Sequence, residues 1–518
     1  MSPAPRRAAL AKTPGKATRP ARRTAGATPA EPPARRATPA RRKTPTSSPA
    51  PAAPTRGEAS ADGSAPDRLA PRPVPPLTPR RVGRLPSVSD RTLDNGLRVL
   101  AVRRPGVPLV ELRLRVPFAE PPGGLPVEKG RAPSFPAAAQ LLADTLLSGT
   151  AQHTAAELAA AVQALGGQLA ASTDADRLSI GGSVLGSGLP GLLALLGEVL
   201  TGAIYPKPDV AGERDRLVDE LAMYRSQASV VAREAMLRRL YGEHPYGREI
   251  PTGEQVREVR AKHLRALHAS RLGPAGSVLT VVGDQTPARL LEQVAAALSG
   301  WTSTGTPTVA GPLPPYEPRT ALLLDRSGAV QTTMRISGPA LSRTEPGYAA
   351  LALANLVFGG YFSSRWVANI REDKGYTYSP HSVIEHPPAG SRLTLAADVA
   401  TSTTAAALLE TTYELGRMAT LPVGQGELDQ ARRYAVGSLA VGTASQAGLA
   451  STLSQLAGAG LSIDWLREYP ALLSKVTVED LLEAGTRFFA PHALTTVLVG
   501  DVGEVEAPLR TLVELERG

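Results

Sequence analysis

An internal repeat constrains the fold of this chain more than any other feature. The segment VLTVVGD covers residues 278–284, and the similar segment LTTVLVGD covers residues 494–501. Each is a short, almost wholly apolar run that is typical of a buried strand, and each precedes a helical stretch. The elements that come before each run also recur in a similar order. Two copies of one α+β unit are the simplest explanation.

The first copy begins with a hairpin signal. The pair Asn95-Gly96 predicts a tight turn, followed by an alternating strand that ends at Arg103. The alternating run at 110–116 is expected to pair with that strand. Helices are predicted at 135–147, 154–165, 191–201 and 210–227, and further strands at 168–172, 177–185 and 277–282.

The second copy follows a segment rich in Pro, Gly and Thr, which predicts an interdomain linker at 301–318. Strands are predicted at 321–324, 330–336 and 495–499, and helices at 348–357, 403–418 and 426–441. The predicted organisation is a tail at 1–85, a first domain at 86–300, the linker, and a second domain at 319–518.

The charge of the chain is concentrated in the tail. The net charge is +10, yet residues 1–81 alone carry 17 Lys/Arg against 4 Asp/Glu. This Ala/Pro/Arg-rich segment has too few large apolar side chains to form a core, so we expect it to be disordered. Two roles stay open for it: a solvated spacer, or a basic arm for nucleic acid or an anionic membrane surface.

The sequence offers no signal for secretion or for a membrane span. No apolar stretch typical of a signal peptide occurs in the tail, and the most apolar later stretch, 188–204, is short and contains Glu198. Cysteine is absent, which excludes disulfides and thiolate metal sites. We therefore expect a cytoplasmic protein.

Four segments together resemble one known family. They are DNGLRVL at 94–100, LLSGT at 146–150, GEHPYGREIPTGEQVREV at 242–259, and FGGYFSSRWVANIREDKGYTYS at 358–379. They are similar to segments of the insulinase/pitrilysin-type zinc metallopeptidases, the family that includes mitochondrial processing peptidase. The resemblance covers about residues 88–518. It implies two tandem homologous domains, each with a mainly antiparallel sheet packed by helices.

The zinc motif of that family is degenerate here. Aligning LLSGT places the family's H-x-x-E-H on the residues from Gln140 to Asp144. In the motif two His at i and i+4 bind zinc, and the Glu takes a proton from the zinc-bound water. Gln140 and Asp144 replace the two His, and Ala143 replaces the base. The distal ligand of the family falls near Glu220, so a single remnant ligand is left, and we expect this chain to bind no zinc.

The signature of the second domain is intact. The resemblance implies that Arg371 and Tyr378 reach the substrate, the guanidinium gripping the peptide backbone and the phenol stabilising a developing oxyanion. The favoured function is therefore a non-catalytic, substrate-binding subunit of a heteromeric peptidase, inactive on its own. Its expected partner is a homologous chain that carries H-x-x-E-H and the zinc.

Two other functions stay open at this point. The chain could be an inactive scaffold homologue within a larger complex. It could also act on nucleic acid through its basic tail. The sequence alone does not decide whether the chain takes part in an enzyme.

Overall fold

Two six-stranded sheets, one from each half of the chain, organise the fold. The first contains β1 Val88–Thr92, β2 Arg98–Arg103, β3 Leu109–Pro117, β4 Gln168–Thr173, β5 Arg177–Leu185 and β6 Val278–Gly283. The second contains β7 Ala321–Asp325, β8 Gln331–Ala340, β9 His381–Glu385, β10 Ser391–Ala400, β11 Thr495–Gly500 and β12 Leu515–Arg517. The computed structural model describes residues 86–121, 125, 133–302 and 307–518. The tail predicted at 1–85 lies outside these residues.

Helices fill the connections between the strands. In the first half they are α1 Phe135–Thr145, α2 Ala155–Ala164, α3 Leu189–Gly202, α4 Lys207–Arg225, α5 Ala228–Tyr241, α6 Gly253–Glu258, α7 Ala261–Arg271 and α8 Pro287–Leu298. In the second half they are α9 Tyr348–Asn355, α10 Arg365–Val367, α11 Thr404–Thr420, α12 Gln425–Gly442, α13 Gln446–Gly458, α14 Ile463–Lys475, α15 Val478–Phe488 and α16 Val502–Leu509. Within the described ranges no helix is both long and apolar enough to cross a membrane.

The strand orders of the two sheets confirm the predicted repeat and the α+β class. The orders are β1-β2-β6-β3-β5-β4 and β12-β7-β11-β8-β10-β9, so β6 and β11, the two repeated apolar runs, hold the same place in each sheet. Most neighbours are antiparallel, and the three parallel pairs among the described strands are β2 with β6, β7 with β11 and β7 with β12. The bounds 86–300, 301–318 and 319–518 stay a prediction.

One predicted strand pairing is wrong. The run at 110–116 was expected to pair with the strand that ends at Arg103, but β6 lies between the two. β3 pairs instead with β5 and β6, both antiparallel. The reason is that β6 is buried on both faces, which suits the middle of a sheet, and only a central position provides a neighbour on each side.

Alternate residues of the central strands enter different cores. Val99 and Ala101 of β2 pack against the helices of their own half, whereas Leu100 and Val102 face α13 from the other half. The second sheet is packed in the same way by a helix of the first half. Its Val497 and Val499 pack on α5 of the first half. Each half therefore covers one face of its own sheet and part of the other half's sheet.

A hydrogen-bonded tyrosine also links the two halves. The buried Tyr246 hydroxyl donates to Asp176 Oδ2 at 2.6 Å and accepts from the Ala389 backbone N–H at 3.0 Å. Ala389 lies in the turn between β9 and β10, and Asp176 follows β4. This contact holds together the turns beside the two edge strands of the sheets.

Shortening a buried leucine side chain of α13 should destabilise the fold strongly. This helix belongs to the second half and packs on the first sheet. Leu453 on α13 is 1% exposed and packs on the first sheet. Leu453→Ala is expected to lower the free energy of unfolding by about 2–5 kcal/mol, because it leaves a cavity between the two halves. Urea denaturation measures the change. Leu409→Ala, on the exposed face of α11, should change it by less than about 0.5 kcal/mol. Equal effects of the two substitutions would contradict the exchanged packing.

Candidate functional site

The residues at the proposed motif positions, Gln140, Ala143 and Asp144, lie on α1, and the side chains of Gln140 and Asp144 bind each other. Gln140 Nε2 donates to both carboxylate oxygens of Asp144, at 3.0 Å and 3.1 Å. The two positions are four residues apart and share one helix face. Ala143 is buried between apolar neighbours. The Gln140 amide therefore directs its N–H groups, and not an oxygen lone pair, at the space between its own side chain and the Asp144 carboxylate.

Arg216 supplies positive charge near Gln140 and Asp144. Arg216 on α4 donates from Nη1 to Glu220 Oε2 at 2.7 Å and from Nε to Glu213 at 3.0 Å. Its charge also acts on Asp144 across the contact between α1 and α4. Glu220 is therefore on α4, where the resemblance places the distal ligand, but its carboxylate is already paired with a guanidinium.

These residues do not fit a zinc ion. Zinc requires neutral nitrogen or anionic ligands converging on one point, usually three from the protein in a catalytic site. Here Gln140 offers a donor, Ala143 offers nothing, and Glu220 is held by Arg216. Across the described ranges no cluster of three His, Asp or Glu could hold a metal ion.

A cavity of about 330 Å³ opens beside α1. It is called the α1 cavity below. It is lined on one side by Gln140 and the first turns of α1, and on the other by Tyr224 and Arg233 of α4 and α5. Residues just after β4 close its third side. The degenerate motif therefore borders a space that is large enough for a few side chains of a ligand.

The two signature residues of the second half lie together. The Arg371 guanidinium lies over the Tyr378 ring, with its central carbon 5.0 Å from the ring centroid. The same carbon lies 4.3 Å from the centroid of Phe362. The Tyr378 side chain is 80% exposed and Phe362 is 59% exposed. The arginine is thus held by two aromatic rings that themselves face solvent.

The backbone that carries Arg371 is irregular and firmly anchored. Residues Leu356–Gly360 and Ala368–Asp373 form π-helical turns, which occur often at functional sites. Asn369, two residues before Arg371, donates to Glu414 at 2.9 Å and to Glu410 at 3.0 Å. The buried Trp366 Nε1 donates to Thr411 Oγ1 at 2.9 Å. The helix α11 therefore fixes the segment that presents Arg371.

The predicted site residues form two groups. Gln140, Asp144 and Glu220 belong to the first half, and Arg371 and Tyr378 to the second. Among the described residues no hydrogen bond or ion pair joins one group to the other. Phe362 and Arg216 were missed by sequence reasoning. Phe362 was inside the recognised signature, and Arg216 could have been found from its spacing to Glu213 and Glu220 on one helix.

Replacing Asp144 should change how stability depends on pH. Burial raises the pKa of the Asp144 carboxyl from 3.8 to about 6, and the Glu213 and Glu220 charges add to the rise. A raised carboxyl pKa favours the folded state at low pH, and this stability is lost as the pH rises through 6. Asp144→Asn should therefore stabilise the fold at about pH 7.5, by about 1 kcal/mol after solvent screening.

Urea denaturation at neutral and at acid pH measures this effect. The gain from Asp144→Asn should disappear near pH ~4, where the carboxyl is protonated in both variants. Asp219→Asn, on the exposed face of α4, is the matched control and should have little effect at either pH. A gain that is the same at both pH values would show that charge is not its cause.

Rebuilding the motif tests the role of Arg216. The combined change Gln140→His, Ala143→Glu and Asp144→His should give only weak zinc binding while Arg216 holds Glu220. Adding Arg216→Ala frees the carboxylate and removes a repelling charge, so the Kd for zinc should fall by about tenfold or more. Competition with a chromophoric chelator measures the Kd. Arg214→Ala, which breaks only the neighbouring pair with Asp215, should not tighten binding.

Two family models match the chain. Residues 134–252 match the insulinase domain of peptidase family M16, and residues 258–434 match the peptidase M16 inactive domain. An uncharacterized zinc protease of Streptomyces coelicolor is 25% identical over 57% of this chain and 64% of its own length. One of Mycobacterium leprae is 28% identical over 59% of this chain and 68% of its own length. The alignment thus spans less than two thirds of the Streptomyces protein.

Solved structures share the fold. A peptidase M16 inactive domain from Pseudomonas fluorescens covers 80% of this chain and 98% of its own, with a TM-score of 0.71 and 22% identity. A protease from Helicobacter pylori also covers 80% of this chain, with a TM-score of 0.71 and 17% identity. The two family matches, the relatives and the fold shared with the solved structures agree, and the chain belongs to the insulinase-like peptidase family M16.

Proposed function

We propose that this chain is the non-catalytic, substrate-binding subunit of a heteromeric insulinase-like peptidase. It contributes Arg371 and Tyr378 to an active site whose zinc is held by a homologous partner with an intact H-x-x-E-H motif. Bound there, zinc would activate the attacking water. The observation that carries the proposal is a contrast: Gln140 and Asp144 bind each other in the first half, whereas Tyr378 is exposed and lies against the half-buried Arg371, whose Nε pairs with Glu372 at 3.3 Å.

The arrangement of the pair suits work on a peptide. Arg371 is anchored through α11, so its guanidinium can donate to a backbone carbonyl without first being ordered. The Tyr378 hydroxyl extends from a ring that rests on the guanidinium and is otherwise open to solvent. A phenol in this position can donate to the oxyanion that forms when a carbonyl is attacked. Neither role requires a metal in this chain.

The α1 cavity supports a role in holding the substrate. In this chain it retains space beside the degenerate motif, with Arg233 and Tyr224 as polar contacts. We propose that an unfolded segment of the substrate occupies it while the scissile bond lies at the partner's zinc. The cytoplasmic location of this complex stays a prediction.

Substituting the pair tests the proposal in the reconstituted complex. Tyr378→Phe keeps the ring that supports Arg371 but removes the hydroxyl, so turnover should fall by about 10²–10³-fold with assembly unchanged. Arg371→Ala should also weaken peptide binding, because a charged donor to backbone carbonyls acts before and during the reaction. Cleavage of a fluorogenic peptide by the co-purified pair measures both, with size-exclusion chromatography to verify assembly.

Tyr413→Phe is the matched control. Tyr413 is another exposed tyrosine of the second half, and it lies beside Arg417, whose central guanidinium carbon is 5.8 Å from the ring centroid. This variant should cleave at the wild-type rate. If Tyr378→Phe and Arg371→Ala also cleave at that rate, the motif has only a structural role, and the chain is a scaffold homologue.

A further inference from the structure

The exchanged helix α5 leaves part of the second sheet uncovered. A helix is about 10 Å wide and strands lie about 4.8 Å apart, so one helix covers about two strands. α5 packs mainly on β11 and β8, its last residue Tyr241 lies against Arg392 of β10, and the rest of the faces of β10 and β9 is only partly covered. A cavity of about 360 Å³ lies there, between α5, the end of α4 and these strands. It is called the α5 cavity below.

The floor of the α5 cavity is a polar ladder across three strands. Arg335 of β8 lies opposite Ala396 of β10, which lies opposite His381 of β9. Two residues further along β10, Thr394 lies between Ser337 of β8 and Val383 of β9. Two residues further again, Arg392 of β10 lies opposite Glu385 of β9. The wall formed by α5 is mainly apolar and contains Val230, Met236 and Leu237. The cavity is therefore amphipathic.

Positive charge exceeds negative charge around the cavity. Three arginines line it, and Glu385 is its one acidic lining residue among those described. Arg392 is paired with Glu385 at 2.5 Å, and Arg233 is paired with Glu249 at 2.7 Å. Arg335 forms no ion pair with any described carboxylate.

Arg335 is held in place but not neutralised. Its Nη1 donates to the Met334 carbonyl at 2.9 Å, which leaves the other guanidinium nitrogens to face the cavity. Burial lowers the pKa of Arg335, and the attraction of Asp398 only partly opposes this effect. Asp398 itself accepts a hydrogen bond from Thr333 at 2.6 Å. A half-buried cation without a direct counter-ion, such as Arg335, is stabilised by an anion that enters from solvent.

The equivalent arginine in the first half of the chain has a counter-ion. Arg113 on β3 corresponds to Arg335 on β8, because each lies on the strand that pairs with the repeated apolar run. Arg113 Nη1 also donates to the preceding carbonyl, that of Leu112, at 2.7 Å. In addition it forms an ion pair with Glu111 at 2.9 Å. Thr333 stands at the position of that glutamate in β8, so the second sheet lacks the counter-ion.

We propose that the α5 cavity is a subsite for a carboxylate of the bound peptide, with Arg335 as the principal contact and the apolar wall of α5 receiving the neighbouring side chain. The inference rests on the proposed peptide-binding function. Tyr224 and Arg233 line both this cavity and the α1 cavity, so one extended peptide can lie across the two. The free carboxylate at the end of a peptide, next to an apolar last side chain, matches both the charge and the wall.

Matched peptides test the subsite on the full chain. A fluorescein-labelled dodecapeptide that alternates leucine with serine and ends in leucine is prepared as the free acid and as the C-terminal amide. Fluorescence anisotropy should show that the wild-type chain binds the acid about tenfold more tightly, since a hydrogen bond to a charged group is worth about that factor or more. Arg335→Met should remove the preference and leave the affinity for the amide unchanged.

Two further variants control the experiment. Arg113→Met, the equivalent change in the first sheet, should keep the preference for the acid. Val383→Glu places a carboxylate in the cavity from an exposed strand position, so it should abolish the preference even if Arg335→Met does not fold. Circular dichroism verifies the fold of each variant.

The possible failures are distinguishable. If acid and amide bind the wild-type chain equally, the carboxylate subsite is wrong and peptide binding stands. If neither peptide binds, the proposed function fails and the subsite fails with it. If inorganic phosphate displaces no peptide from the wild-type chain but binds the Arg335 position with the peptide in place, the cavity takes a free oxyanion, and this too overturns the proposal.

Discussion

Each half packs one of its helices on the sheet of the other half: α13 on the first sheet and α5 on the second. The rest of the structure depends on this packing. Both sheets have central strands that are apolar on both faces, and one face of each is covered by a helix from the other half. Burying a single leucine or valine side chain contributes about 1.5–3 kcal/mol, and the contacts of α13 and α5 involve several such side chains. Neither half can cover its own sheet, so the halves fold as one unit.

The same constraint creates the candidate sites. A single exchanged helix is too narrow for six strands, so polar faces stay open beside it, and the α5 cavity is one of them. The Tyr246 hydroxyl holds the turns near both edge strands together. The candidate site residues lie on this frame in two groups. Gln140 and Asp144 bind each other beside the ion pairs of Arg216, and Arg371 lies against two exposed rings.

The sequence predicted local structure and family well because these depend on short patterns. The capping threonine at Thr154, the Asn95-Gly96 turn and the apolar runs of β6 and β11 each act over a few residues. The pairing of β3 was predicted wrongly because β6, more than 160 positions later, inserts beside it. The helices α5 and α13, whose apolar residues pack on strands of the opposite half, were not predicted, and neither was α15, which packs within its own half.

The resemblance assigns the degenerate motif to residues 140–144, and this assignment stays a prediction. The structure adds the contacts of these residues, with Gln140 and Asp144 on one face of α1. The pair of Arg216 with Glu220 follows from their i,i+4 spacing on α4 and was predictable. That Arg335 forms no ion pair depends on which side chains the neighbouring strands bring beside it, and residue spacing does not give the pairing of distant strands.

We propose that this chain works in an active site without holding the metal of that site. Elemental analysis of the isolated chain and of its complex with the H-x-x-E-H partner tests this proposal. The isolated chain should retain no zinc after dialysis, and the complex should retain a single zinc ion for the two chains, lost when the partner's motif is mutated. A zinc ion bound tightly by the isolated chain, together with chelator-sensitive peptide cleavage, would contradict it.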